Sequence, residues 1–210
     1  MKDTRTPQRA QAFTLEGFIG AIVLLTAVLF ALQAVVITPT TGGAVDRGVQ
    51  AQAEQEVVDA LNTGQSTGNL SELVRYYDDP QDRWHNGTGG NSNFVYNNSQ
   101  YANESAFGRV LDTHFYEHGG NSFNVEYIYW NGSGHRETID AVRMGGARGE
   151  GAVSASFTVT LHDSQNLTEP GSDGQPTEGS TELGNANNYP IPDAFSSNLY
   201  NIVEVRVTVW

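Results

Sequence analysis

The sequence predicts an α+β protein: an N-terminal transmembrane helix, outer helices, and then an antiparallel sheet of about four strands. Three observations carry that expectation. Residues 17–37 form one uncharged apolar run, residues 46–61, 70–77 and 104–117 read as helical segments, and beyond residue 123 the repeat shortens to two. The expected organisation is a leader over residues 1–10, a transmembrane or assembly helix over 11–37, a hinge over 38–45 and an extracellular α+β domain over 46–210.

Of the 21 residues in the apolar run, only Gly17, Gly20, Thr26 and Gln33 are not clearly apolar. As a helix the run is roughly 31 Å long, about the hydrocarbon thickness of a bilayer. A secretory signal has a shorter apolar stretch, with its cleavage site after it. Here the run is longer, and Glu16 stands directly before it. A carboxylate at the membrane edge is costly to bury alone, so Glu16 either meets an opposite charge or stays solvated among headgroups. In a lone helix the Gln33 amide is unsatisfied in hydrocarbon, and Gly17 and Gly20 permit close approach of a neighbour; both favour helix association. The alternative for Gln33 is that it reaches the outer interface.

Thr38-Pro39-Thr40-Thr41-Gly42-Gly43 breaks the run and is expected to bend the chain. Asp46 is the expected cap of the next helix, with Val49, Ala53, Val57 and Leu61 four apart on one face. Residues 70–77 read as a short second helix, and residues 80–103 as an irregular loop that tucks Trp84, Phe94, Tyr96 and Tyr101 onto the domain. Residues 104–117 read as a helix with Phe107, Val110, Leu111, His114 and Phe115 on one side, stopped by Gly119-Gly120. Strands are expected over 123–130, 135–143, 152–161 and 201–210, the first two joined by the turn Asn131-Gly132-Ser133-Gly134. Residues 162–192 read as a long exposed loop.

Arg9-Ala10 before Gln11, the string Phe13-Thr14-Leu15-Glu16 and the apolar run behind it resemble a class III (prepilin) signal, and residues 11–18 resemble haloarchaeal type IV pilin-like membrane proteins. The resemblance implies a peptidase cut after Ala10, a mature chain beginning at Gln11, and assembly with pilin-like subunits, self or related, through the N-terminal helix. Arg9, Ala10 and Gln11 are then the processing residues, and Glu16, Gly17, Gly20 and Gln33 the assembly residues. Bacterial members of that family place a Glu fifth in the mature chain, where it pairs with a neighbour's amine. Counted from Gln11, Glu16 is sixth.

Composition sets the surroundings. The net charge is −13, and a leader carrying Lys2, Arg5 and Arg9 against Asp3 takes away +2, leaving −15 on the rest. Lys2 is the only lysine. Molar salt shortens the Debye length to about 3 Å and removes most of the self-repulsion of such a surface, so the composition points to a halophile. It also excludes nucleic acid as a partner. There is no cysteine and hence no disulfide framework. Basic residues before the run and acidic sequence after it put the N-terminus in the cytoplasm and the remainder outside, a single pass in contact with membrane lipid. Asn69, Asn86, Asn97, Asn103, Asn131 and Asn166 begin Asn-X-Ser/Thr sequons, as in a surface glycoprotein.

Chemistry-bearing patterns are sparse. His114-Phe115-Tyr116-Glu117-His118 matches the His-X-X-Glu-His pattern of inverted zinc proteases, with Glu126 or Glu137 as the further ligand. The competing reading is structural: His114 on the apolar stripe, His118 in a last helical turn. The glycine-rich residues 145–151 lack the Lys-Ser/Thr ending of a phosphate loop. The expectation is therefore no catalytic residue, no metal and no cofactor: a pilin-like subunit, with a single-pass surface binding protein as the alternative and an anchored metallohydrolase as the remote one.

Overall fold

The computed structural model describes residues 6–33, 41–67, 69–87, 94–145 and 152–210. In chain order its elements are α1 (Thr6–Gln33), α2 (Thr41–Ser66), α3 (Asn69–Val74), β1 (Tyr77–Asp78), β2 (Arg83–Trp84), α4 (Asn98–Glu104), α5 (Ala106–Leu111), a π-helical segment (Asp112–His118), β3 (Phe123–Trp130), β4 (Arg136–Arg143), β5 (Val153–His162), β6 (Asn166–Pro170), β7 (Pro176–Glu182) and β8 (Leu199–Val209). The chain divides into two units, one ending at Val45 and the other running from Asp46 to Trp210. Mixed helix and antiparallel sheet make it α+β.

The period-two stretches build a four-stranded antiparallel sheet in the order β4-β3-β8-β5. Alternation sorts its faces. Phe123, Val125, Tyr127 and Tyr129 of β3 share the core with Val203, Val205, Val207 and Val209 of β8. The opposite face carries Glu126, Glu204 and Arg206 beside the hydroxyls of Ser154 and Thr208, which meet at 2.8 Å. There Arg206 reaches Glu204 at 2.6 Å and Glu126 at 3.8 Å, and Arg136 adds a bond to Glu204. Burial works against the Glu204 carboxylate, but the bonds from Arg136 and Arg206 outweigh it and hold the group below the usual range.

Helices close the core face. Val57, Ala60, Leu61 and Gly64 of α2 are buried, and Gly64 is required because a Cβ there would lie 2.8 Å from the Phe107 ring. Asn97 caps α4 in a reciprocal box with Gln100, and Ser105 caps α5 through a 2.8 Å bond from the Gly108 N–H. After the π-helical segment the chain turns at Gly120, with φ of +65°. The N–H of Gly120 reaches the Tyr116 carbonyl and that of Asn121 the Phe115 carbonyl, each loop one residue wider than in an α-helical Schellman end.

Several expectations need correction. Asp46 is no cap, because α2 already begins at Thr41; Gly42-Gly43 weaken a helix without ending it. The second helix stops at Val74, and Tyr77 enters β1. Residues 80–103 hold β2 and α4, although Tyr96 and Tyr101 are indeed fully buried. Glu104 ends one helix, and the extended backbone of Ser105 separates it from the next. Residues 162–192 are no loop. They form the β6–β7 hairpin and send Leu167, Leu183, Tyr189 and Ile191 into the core. Residues 38–40 of the expected hinge and 146–151 of the glycine-rich stretch lie outside the described residues.

Candidate functional site

Helix α1 belongs to the first unit. From Leu15 to Phe30 its large apolar side chains are 50–71 % exposed, including Phe18, Ile22, Leu25, Leu29 and Phe30. Successive 100° steps distribute them around the whole circumference, so the helix has no polar side. The Thr26 hydroxyl is satisfied inside the helix by a 2.6 Å bond to the Ile22 carbonyl, so it needs no neighbour. Gly17 and Gly20 are open: a Cβ at either would meet nothing within 4 Å. Glu16 is exposed and has no partner among the described residues. Arg9, Ala10, Gln11 and Gln33 lie in α1, with side chains outside the described set. Among the described residues no helix is long and apolar enough to cross a membrane; the side chains described in α1 end at Phe30, whereas the apolar run of the sequence continues to Ile37.

In the second unit the expected apolar stripe of residues 107–115 divides. Phe107, Leu111 and Phe115 are buried, while Val110 is 39 % exposed and the His114 side chain 54 %. Positions four apart face the core, and those one residue earlier look outward. His114 Nε2 lies 3.2 Å from Glu56 Oε2 of α2. The Gln52 amide, which also donates to Glu56, and then His114 hold that carboxylate low. Glu126 pairs with Arg206, and Glu137 accepts from Tyr129 and Asn131, so neither completes a site with the histidines. No group of three metal-ligating side chains occurs among the described residues. His114 and His118 instead line a shallow depression of about 450 Å³ with Arg109, Val110, Thr113 and Ala106. Among the described residues, Arg109 is the one arginine side chain with no carboxylate within 4 Å.

The sequons divide by what their amide nitrogens do. Asn86 donates to Glu104 at 3.1 Å, Asn131 to Glu137 at 2.7 Å, and Asn166 to the Gly179 carbonyl at 2.9 Å. Asn97 and Asn103 are exposed, and neither amide nitrogen donates to a described residue; the Asn97 oxygen serves the α4 cap. The Asn69 side chain lies outside the described set.

Two buried polar groups had no signal in the sequence. Arg75, 4 % exposed, donates to the Ser71 and Asn166 carbonyls and sits 3.6 Å from Glu178, tying α3 to the β6–β7 hairpin. Burial pushes its guanidinium down, and Glu178 opposes the shift. Asp79 accepts the N–H groups of Asn187 and Asn188 at 2.9 and 2.7 Å. Beside it, a cavity of about 150 Å³ is lined by His85, Asp78, Glu169 and Ser180. Burial lowers the His85 imidazole against the pull of those carboxylates.

Residues 9–209 match a family model described as a family of unknown function (DUF7288). The chain belongs to the DUF7288 family. No curated protein matches it, and no solved structure does. The match begins at Arg9, so the DUF7288 unit takes in most of α1 and the α+β unit. Within this DUF7288 chain the hairpin joined to Arg75 had one legible signal, Asp173-Gly174 at its turn, where Gly174 takes φ of +75°.

Proposed function

We propose that the chain is a type IV pilin-like subunit, cut by a prepilin peptidase after Ala10 and anchored or assembled through its N-terminal helix, with the acidic α+β unit displayed outside the cell. The observation that carries this reading is the apolar surface of α1, exposed all round its circumference. Such a surface is stable only in lipid or against other apolar helices, and the open Gly17 and Gly20 positions suit close helix contact. The sequence run of residues 17–37 is long enough to span the hydrocarbon core. Cells recovered from the native source give the test, through the mass of the leading peptide. A start at Gln11 is expected. A start at Met1 makes the protein a plain anchor, one beyond Ala34 makes it a secreted domain, and either removes the pilin-like reading.

A second reading, a single-pass surface protein that binds a ligand and never polymerises, draws on the uncovered depression beside Arg109. Shearing cells separates the two. A subunit of filaments leaves with high-molecular-weight fibres, whereas an isolated anchor stays in the membrane fraction. The metallohydrolase reading has no support in the geometry of His114 and His118.

A further inference from the structure

The two edges of the main sheet are built differently. β4 carries Arg136, Glu137, Asp140 and Arg143, and its outer side is already occupied: the N–H groups of Val95 and Tyr96 bond the Asp140 and Ala141 carbonyls at 3.0 and 2.8 Å. Charge and a covering segment are the ordinary protections of a sheet edge. β5 has neither. Its ten residues contain no Asp, Glu, Lys or Arg, and no proline. Among the described residues its one strand partner is β8, and from Val153 to Leu161 no other described segment hydrogen-bonds its outer side. Val153, Ala155 and Phe157, which face the core, remain only partly buried at this margin. On the other face Ser154, Ser156, Thr158 and Thr160 are exposed hydroxyls.

We propose that β5 pairs antiparallel with β5 of a second copy, joining two sheets into one of eight strands about a two-fold axis. The occupant is argued from charge. Even where salt screens longer-range repulsion, a direct contact between identical patches of a chain at −13 sets carboxylate against carboxylate over most of its surface. β5 is a charge-free strip, so identical strands meet there without that cost. An antiparallel register that keeps the faces common places hydroxyls opposite hydroxyls, as Ser154 and Thr208 already are. It also covers the half-open Ala155 and Phe157 with their counterparts. This inference goes beyond the pilin-like reading and does not need α1 to associate.

The absence of cysteine allows a clean test. In the full-length protein, single substitutions Ser154→Cys, Ser156→Cys, Thr158→Cys and Thr160→Cys are treated with a short bis-maleimide, with Glu137→Cys on β4 as reference. The expected result is a dimer yield several-fold above that reference, peaking at one position between 154 and 158 and falling to either side. With the axis at Ser156, residue 158 of one strand faces residue 154 of the other. Adding both Ser154→Glu and Thr158→Glu to Ser156→Cys therefore opposes carboxylates at the joint and is expected to abolish the cross-link while the near-UV circular dichroism is unchanged. A flat profile, or a cross-link that survives the two glutamates, overturns the proposal. Absence of dimers together with maleimide protection of these positions in cells assigns the edge to a strand of a different protein and overturns it as well.

Discussion

Gly108 sits where α5 passes over the end of α4, and a Cβ there would fall 2.0 Å from the Tyr101 carbonyl oxygen and 2.6 Å from its carbon. The obstacle is backbone, so no side-chain rotation relieves it. Gly108→Ala must therefore separate the two helices, and overpacking of this kind costs about 2–3 kcal/mol. Gly132, in the β3–β4 turn, has nothing within 4 Å of its Cβ position and no positive φ. Gly132→Ala is expected to stay within about 0.5 kcal/mol of the parent. Urea denaturation of the pair checks both, and equal midpoints would contradict the close approach. The same single-residue resolution explains the histidines. Nothing in the string His114 to His118 distinguishes a metal site from a pairing with Glu56, because the partner lies on another helix 58 positions away in sequence.

Between elements, tyrosine is the joining residue. Tyr101 of α4 and Tyr127 of β3 meet hydroxyl to hydroxyl at 3.3 Å, Tyr189 donates to the Val74 carbonyl at 2.6 Å, and Tyr200 of β8 donates to the Ile191 carbonyl at 3.0 Å. Burial pushes all four phenols up, Tyr200 to about 12. The sign is that of a raised acid. Below about pH 10, the unperturbed phenol value, folded and unfolded chains are both protonated and the contribution is complete. Above it the unfolded chain ionises first, so stability falls as pH rises. The expected outcome is a steep rise in phenolate absorbance that coincides with loss of near-UV circular dichroism; gradual ionisation of these tyrosines in a fold that stays intact would contradict it. How legible each element was follows from what its residues bury. β3 and β4 were readable because alternation and the Asn-Gly turn agree, and β3 was placed at the residues it occupies. β6 and β7 were not. Prolines stand at Pro170 and Pro176, most of their side chains are polar, and only Leu167, Thr168 and Pro176 are buried, so periodicity has almost nothing to report. The division of residues 107–115 escaped for another reason: a 3.6-residue period was assumed across a segment that winds as a π-helix from Asp112.

For the molecule as a whole, charge decides the conditions under which it stands. With 24 acidic residues against 11 basic ones, self-repulsion opposes the folded state at low ionic strength. The sheet-face pairs of Arg136 and Arg206 with Glu204 are partly exposed and weakened by salt, but such pairs are worth only about 0–1 kcal/mol each. Relief of repulsion is the larger effect. Raising KCl from about 0.1 M, where the Debye length is about 10 Å, to about 1 M is expected to raise the thermal midpoint by several degrees. A midpoint that falls would remove the halophile reading.

The position of β8 has a consequence in time. It lies in the middle of the sheet, between β3 and β5, yet follows both in sequence; Val209 pairs with Phe123 and Val153 alike. The β3–β4 hairpin can close locally and early, whereas β3 gains its second neighbour, and β5 its only one, when β8 arrives. Closing so long a loop is slow, and little cooperative stability exists before it happens. The second unit should therefore gain its order late and in one step. Until that step, both sides of β5 stand open to any strand that passes, and the speed of β8 insertion sets how long a newly made chain is at risk.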